Sequence, residues 1–492
     1  MILPTKRGLA GALIAAATAL APAMPGAQES DDLTAQIEQL REAMRQTQAA
    51  YEQQIQALET RVRDLEANAA PSAPASGYED LFDDPASGGA FGEALSFQSG
   101  SLSGGLGFNL DAAAGGSSVP DRVLKSGESG LQAGGHDPNK NGFTLQAGEL
   151  ALFGAADPYF DGFANMLFLI DEAGETKVEL EEAWAQTLGL PWGLQVKAGQ
   201  FYTEFGRANE RHVHQQDFAD QPFIVTRMFG GDGQRAPGAR LAWLSPLPWF
   251  SEFYFGAQNC VGETMPSFCG ADEGRGEFAN VIGKSRNFSD ALVYSGRWLN
   301  GFDVSDTLSM NLGLSANYGP NRTGPDNHTL IYGADFYGKW LPARAVRGFP
   351  FVSLTAEVIG RHYEAGNVDN ANLTDLDDWG LYTQGLHGFT PGWVAGLRFE
   401  YGNGSGQNPA GPRAGDDVNR AARYRISPNL TWYPTEFSHI RLQYNHDWSE
   451  HLPAAGLAAT ADPSTGTLDS HTADSIWVQL GIALGAHGAH KF

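Results

Sequence analysis

Near the end of this chain, Ile476, Val478, Leu480, Ile482 and Leu484 fall on one parity, with the final Phe492 in phase. Trp477, Gln479, Gly481 and Ala483 fall on the other. A β-strand turns successive side chains to opposite faces, so one face of this segment is apolar and fit to meet lipid while the other is fit to meet a lumen. A terminal aromatic in that phase is also the feature that barrel-insertion machinery reads. An ordinary half-buried edge strand shows the same alternation, so the rest of the chain must decide.

The opposite end agrees with the membrane reading. Lys6 and Arg7 precede an apolar run from Gly8 to Ala23, and Pro25-Gly26-Ala27 supplies small residues for cleavage, so residues 1–27 read as a secretory signal peptide. No other stretch reaches the roughly 18 consecutive apolar residues that a membrane helix needs. A chain held in lipid without such a helix must use strands, and because lipid cannot satisfy open backbone groups those strands must close into a barrel. The composition fits, with 61 Gly, 28 Phe, 15 Tyr and 11 Trp, and only 2 Cys. Loss of Lys6 and Arg7 with the signal peptide takes the formal net charge from −25 to −27. That balance excludes nucleic acid as a natural partner and favours a lumen that accepts cations.

Residues 28–66 are of a different kind. Leu33, Ile37, Leu40, Met44, Thr47, Tyr51, Ile55, Leu58, Val62 and Leu65 alternate spacings of four and three with one stutter at Tyr51, which predicts a short coiled coil. An isolated helix with so narrow a seam has little reason to form alone, so the reading is a periplasmic oligomerising stalk, three-stranded; a lone helix lying on the barrel or on the cell wall is the alternative. Residues 67–101 are rich in Ala, Pro, Ser, Gly and Asp and predict a flexible linker.

From 102 to 492 the chain predicts an all-β, transmembrane antiparallel barrel of about sixteen strands. Strand-like segments lie near 102–113, 143–155, 158–171, 176–188, 193–205, 236–246, 249–261, 288–300, 306–319, 328–341, 349–364, 379–389, 392–403, 420–434, 437–449 and from 473 onward. Tight turns such as Asp157-Pro158, Pro246-Leu247-Pro248 and Thr390-Pro391-Gly392 alternate with longer polar loops, as short periplasmic turns alternate with external loops in outer-membrane barrels.

With Leu308, Met310, Leu312 and Leu314 and with Val352, Leu354, Ala356 and Val358 facing lipid, the opposite parity carries Asp335, Lys339, Glu357, Arg361, Arg398, Glu400, Arg423, Arg425, Arg441 and Asp447. Arg240 joins this set, and Glu179 and Glu181 come from an early strand. Opposed basic and acidic walls would set up a transverse field; lumenal salt bridges that stiffen the wall are the other reading. The third external connection, Gly206 to Arg235, is the longest, and its Phe218, Phe223 and Phe229 argue for a segment folded into the barrel as a constriction. Glu210, Asp217 and Asp220 are then expected to face Arg398, Arg423 and Arg441. His212, His214, Asp217 and Asp220 also make a metal-ligand-like group, since His-x-His puts two imidazoles on one side of an extended strand; hydrogen-bonded packing and solute contact are the alternatives. Cys260 and Cys269 are expected to form a disulfide that pins the next external loop. No nucleophile, base and orienter set is legible, so no enzyme and no cofactor is expected.

Several stretches carry a family resemblance: Lys197-Ala198-Gly199-Gln200-Phe201 through Phe205-Gly206-Arg207, Arg441-Leu442-Gln443-Tyr444-Asn445-His446, and Leu484-Gly485-Ala486-His487-Gly488-Ala489-His490-Lys491-Phe492. With the stalk before the barrel, the chain resembles outer-membrane porins related to phosphate-selective porins O and P, and a branch often labelled zinc-regulated outer-membrane receptors. The resemblance implies a sixteen-stranded homotrimeric porin of the Gram-negative outer membrane, partnered by lipid and passing small solutes or ions. A metal-responsive uptake channel and a blocked barrel acting as a surface binding protein are the alternatives. This chain departs from the family by being acidic, without a dense Lys lining, and by having no room for the globular plug of an energised receptor.

Overall fold

The computed structural model describes residues 96–485 apart from 100–101, 126–130, 157–158, 171–173, 261, 271–287, 325, 366–373, 406–419 and 451–471. The expected signal peptide, the coiled coil, most of the linker and Phe492 lie outside the described residues.

The strands are β1 (Ser96–Ser99), β2 (Leu102–Ser117), β3 (Gly142–Ala156), β4 (Phe160–Ile170), β5 (Thr176–Thr187), β6 (Leu194–Tyr202), β7 (Arg235–Leu244), β8 (Phe250–Asn259) and β9 (Leu292–Ser305). They continue as β10 (Leu308–Pro320), β11 (His328–Trp340), β12 (Phe351–Ala365), β13 (Thr374–Thr390), β14 (Trp393–Ser405), β15 (Arg423–Thr435), β16 (Ser438–Ser449) and β17 (Thr472–Gly485). Each strand from β2 to β17 pairs antiparallel with the next, and β17 pairs back onto β2, from Ser475 opposite Ser117 to Gly485 opposite Gly107. The result is a closed sixteen-stranded antiparallel barrel in the expected segments. β1, which falls in the expected linker, pairs with Leu102–Gly105 of β2. β3 already occupies the other edge of those residues, so β1 takes the edge that β17 uses further along.

The barrel is inverted relative to a soluble protein. In β12, Val352, Leu354 and Val358 are exposed while Ser353, Thr355, Glu357 and Arg361 are buried. The pattern repeats in β17, where Ile476, Val478, Leu480 and Leu484 point outward and Trp477 and Gln479 inward. Exposed aromatics ring both ends: Trp192, Trp243, Trp249, Trp340, Trp393 and Trp432 toward the short turns, and Phe143, Tyr294, Tyr318, Tyr332, Trp379 and Tyr444 toward the long loops. An aliphatic band between two aromatic girdles is the surface of a barrel embedded in lipid. Buried charge on the inside and exposed Leu on the outside are incompatible with an aqueous exterior.

Besides register shifts at the turn ends of β9–β10, β13–β14 and β15–β16, two bulges away from the turns break the alternation. Asp111 pairs with Ala147 and Ala112 with Leu145, which leaves Gln146 as an extra residue of β3. Asn165 pairs with Glu182 and Met166 with Leu180, which leaves Glu181 as an extra residue of β5. Each bulge puts two consecutive side chains inside the barrel, Gln146 with Ala147 and Glu181 with Glu182.

Leu314, 54 % exposed at the middle of β10, tests the lipid-facing assignment. We expect Leu314→Arg to destabilise the folded barrel by about 2–4 kcal/mol in lipid vesicles, with Leu314→Phe nearly neutral, in equilibrium urea titrations. Equal tolerance of both would place Leu314 away from the hydrocarbon.

Candidate functional site

The connection between β6 and β7 bonds to inward-facing side chains around much of the barrel. It turns at Gly206, where φ is +60° and a Cβ would stand 1.6 Å from Glu357 Oε1. Only glycine fits that close approach. Glu357 there accepts from the Arg207 amide at 3.2 Å and from the Tyr382 hydroxyl at 3.0 Å, and the Arg207 guanidinium lies 4.2 Å above the Tyr337 ring. A short 3₁₀ turn follows at Val213–Gln215. Helix α2, the chain's second described α-helix after α1 (Asp121–Lys125), spans Phe223–Phe229; it begins after Pro222 and ends at Gly230.

On one side the segment meets carboxylates. Because of the bulge in β5, Glu181 and Glu182 flank the same imidazole: His212 Nδ1 lies 2.8 Å from Glu181 Oε2 and Nε2 lies 3.0 Å from Glu182 Oε2. Both ring nitrogens can donate only in the imidazolium form. Burial alone would push the His212 pKa down, but Glu181 and Glu182 outweigh it and hold it well above the ordinary histidine value. His214 stacks on His212 with ring centres 5.7 Å apart and places Nδ1 2.6 Å from Glu149 Oε2 of β3.

On the other side it meets guanidinium groups. Asp220 accepts side-chain bonds from Arg398, from Arg425 at 3.0 Å, from Gln443 at 2.7 Å and from Asn445 at 2.8 Å, which fills both its oxygens. Burial pushes its pKa up, but Arg398 and Arg425 hold it below the ordinary aspartate value. The Phe223 amide, at the start of α2, donates to Glu400 Oε2 at 2.6 Å, and Arg441 donates to the Gln216 carbonyl at 2.9 Å.

Between these two anchors the segment carries a small apolar core. Phe205, Ile224, Val225, Met228 and Phe229 pack with Met265 and Phe268 of the following loop and with Val293, Ile331, Ile359 and Tyr382 of the wall, all at most 2 % exposed. Cys260 and Cys269 are disulfide-bonded and hold that following loop against the same core.

Of the arginines expected on the inner face, all but Arg441 pair with carboxylates; Arg441 bonds Thr431, Gln479 and the Gln216 carbonyl. Arg361 forks onto Asp378 at 2.9 and 2.7 Å, Arg423 reaches Asp447 at 2.7 Å, Arg425 bonds both Asp447 and Asp220, and Arg240 reaches Glu204 at 2.8 Å. Glu179 pairs with Arg235 at 3.1 Å. Of the three acids expected to face Arg398, Arg423 and Arg441, only Asp220 does so. Asp217 pairs instead with Arg211 of its own segment at 2.7 Å and accepts from Gln384 at 2.9 Å. Glu210 is exposed, among Glu204, Arg297, Lys197 and Glu182. Nor are the four residues of the expected metal-like group brought together. His212 and His214 turn to the acids of β3 and β5, Asp217 to β13 and Asp220 to β14 and β15. Glu149, Glu182, Gln146 and Gln443 were not anticipated as partners of the segment. The adjacent pair Glu181-Glu182 in a strand was the available signal, since strict alternation cannot bury both.

A protein of Aquifex aeolicus (strain VF5), itself described only as uncharacterized, is 30 % identical over 378 residues, which cover 73 % of each chain. This chain belongs to that protein's family. The sequence matches no protein-family model. Among solved structures, the outer-membrane channel DcaP of Acinetobacter baumannii superposes with a TM-score of 0.48 at 12 % identity, over 79 % of this chain and 99 % of that one. The anion-selective porin of Comamonas acidovorans gives 0.46 at 11 % identity, over 78 % and 99 %. OprB of Pseudomonas putida gives 0.43 at 11 % identity, over 78 % and 94 %.

Removal of the His212 imidazole leaves two buried carboxylates without their shared cation, so His212→Ala is expected to cost about 3–5 kcal/mol in equilibrium unfolding. Adding Glu181→Gln and Glu182→Gln should recover most of that loss, because no uncompensated charge then remains. Failure of the triple variant to recover would mean that packing of the ring, and not its charge, matters.

The two anchors also set a pH window. A histidine with a raised pKa stabilises fully below its ordinary value and loses that contribution as pH rises through the raised one. An aspartate with a lowered pKa stabilises fully above its ordinary value and loses that contribution as pH falls through the lowered one. Docking of the segment should therefore be strongest between about pH 5 and 6.5 and weaken progressively as pH rises above that range or falls below it. Limited proteolysis of the folded protein across pH would check this: cleavage within residues 206–234 should increase as pH rises above about 6.5, and protection that grew over that rise would contradict it.

Proposed function

We propose that this chain is an outer-membrane porin, a passive channel for small hydrophilic solutes or ions, narrowed by the segment from Gly206 to Arg235. The observation that carries the reading is that this segment is bonded to inward-facing groups of β3 and β5 and of β12 to β16 within a barrel whose exterior is fit for lipid. A tether at both sides is what a fixed constriction requires. Pairing of Arg240, Arg361, Arg398, Arg423 and Arg425 with carboxylates supports wall stiffening over a strong transverse field, and the acidic balance of the chain favours a weak preference for cations. A homotrimer held through residues 28–66, with those residues in the periplasm, completes the assembly, and the resemblance to porins O and P belongs to this proposal on its sequence motifs alone.

A second reading is favoured by the apolar core around α2, which fills part of the interior with Phe205, Ile224, Met228 and Phe229. In that reading the barrel is blocked and its long loops bind a partner at the surface. Planar-bilayer recording separates the two. The porin reading expects discrete conductance steps, a reversal potential across a KCl gradient slightly toward cations, and larger steps when residues 210–230 are excised. No steps from a heat-modifiable, folded protein would leave the binding reading; unchanged steps after excision would remove the segment as the constriction.

A further inference from the structure

On the inner wall where β2 meets β3, buried acceptor oxygens stand without donors. Asn109, Asp111 and Glu149 lie on the inward parity of their strands and are at most 2 % exposed. Asn109 is directly opposite Glu149 in the β2–β3 register, where paired side chains start about 4.5–5.5 Å apart. Asp111 is the next inward residue along β2, roughly 6.7 Å further on. Opposite it stands Ala147, whose methyl offers no donor. Both Asp111 oxygens, Glu149 Oε1 and Asn109 Oδ1 have no hydrogen-bond partner in the protein. Glu149 Oε2 is spent on His214 Nδ1 at 2.6 Å. Arg441, the guanidinium that acts on Asp111 through space, gives its own bonds to Thr431, Gln479 and the Gln216 carbonyl. Two carboxylates in a lumen wall are common; the independent sign is the Asn109 amide, whose neutral oxygen is buried beside them and equally without a donor. A wall that gathers acceptors alone calls for a cation to satisfy them.

We propose that Asn109, Asp111 and Glu149 bind one calcium ion beneath the turn Val213–Gln215. The donor set is oxygen alone, with the nearby imidazole of His214 committed to Glu149, and that set suits a hard cation better than zinc and its neighbours. Asp111 can bind through both oxygens, with Glu149 Oε1 and Asn109 Oδ1 beside it. Calcium accepts such an uneven mixture of carboxylate and amide oxygens and completes its shell with water, whereas magnesium demands near-octahedral geometry. The turn closes over the site, since Val213 packs on Ala147 and Leu167 while His214 bonds Glu149. The ion would then lie between the wall and the segment and neutralise the carboxylate that no guanidinium bonds.

The site is independent of whether the barrel conducts, and its test reads binding and stability alone. Full-length protein folded in detergent micelles and stripped with EGTA is titrated with CaCl₂ by calorimetry in the presence of excess MgCl₂, with heat-modifiability as the check on folding. We expect a calcium event that Asp111→Asn weakens at least tenfold or removes and that Asn109→Ala weakens severalfold. Asp111→Asn keeps the side-chain shape, and Asn109→Ala serves if that variant does not fold. In urea titrations, calcium should raise the unfolding midpoint of the unsubstituted chain and leave that of Asp111→Asn unmoved. No calcium event from the folded, unsubstituted protein would overturn the proposal. So would an event unchanged in both variants, which would assign the ion to other acids, and so would an equal rise of the midpoint with and without Asp111.

Discussion

Every backbone N–H and C=O that lies in hydrocarbon must find its partner within the protein, and that single requirement organises this molecule. It forces the strands into a ring, and closure of the ring through β17 and β2 then sorts every side chain by parity. Apolar side chains go to the lipid side because nothing there competes for them, and the charged ones are left with each other. The interior is consequently the polar part of the protein. Its stability depends on whether those charges are matched, since a lone buried ion costs several kcal/mol.

The segment between β6 and β7 is matched in the same currency. It carries the His212 imidazolium toward the carboxylates of β5 and the Asp220 carboxylate toward the guanidinium groups of β14 and β15. Reversal of the segment end for end would set like charges against each other on both sides, so the charge pattern specifies one docked orientation. The apolar core around α2 contributes the non-directional part of the attachment. Each fully buried Phe or Ile there adds roughly 1.5–3 kcal/mol.

Much of the barrel was legible in the sequence because period-2 alternation survives in nearly every strand, and because lipid makes the outer face uniformly apolar. Strand number and facing followed from that alone. Local departures from the period hid the rest. The extra residues Gln146 and Glu181 shift the register by one, so the inward-facing parity of each bulged strand changes across them and a single parity count misplaces one end of the strand. Ile331 and Ile359 sit on the charged parity and mark the apolar patch that receives α2, a signal visible as apolar residues out of phase. The long connections were legible only as being long and aromatic. Pairings such as Asp220 with Arg425 join residues 205 positions apart and have no local trace. For the same reason Asp217 was assigned to the arginine wall when a nearer partner, Arg211, lay in its own segment.

Among the described strands of the barrel, the junction of β17 with β2 is the one whose two members are not consecutive in the chain. It is a zipper with no hinge, and it can be fastened only after the last strand has been delivered. β1 lies along the same edge of β2, at Leu102–Gly105, and so stands next to the track that β17 must enter. A short strand parked there can act as a doorstop for register. A late strand that slipped toward the short-turn end by two residues would keep its parity yet run into an edge already taken, and the pairing that leaves Gly485 opposite Gly107 is the one that clears it.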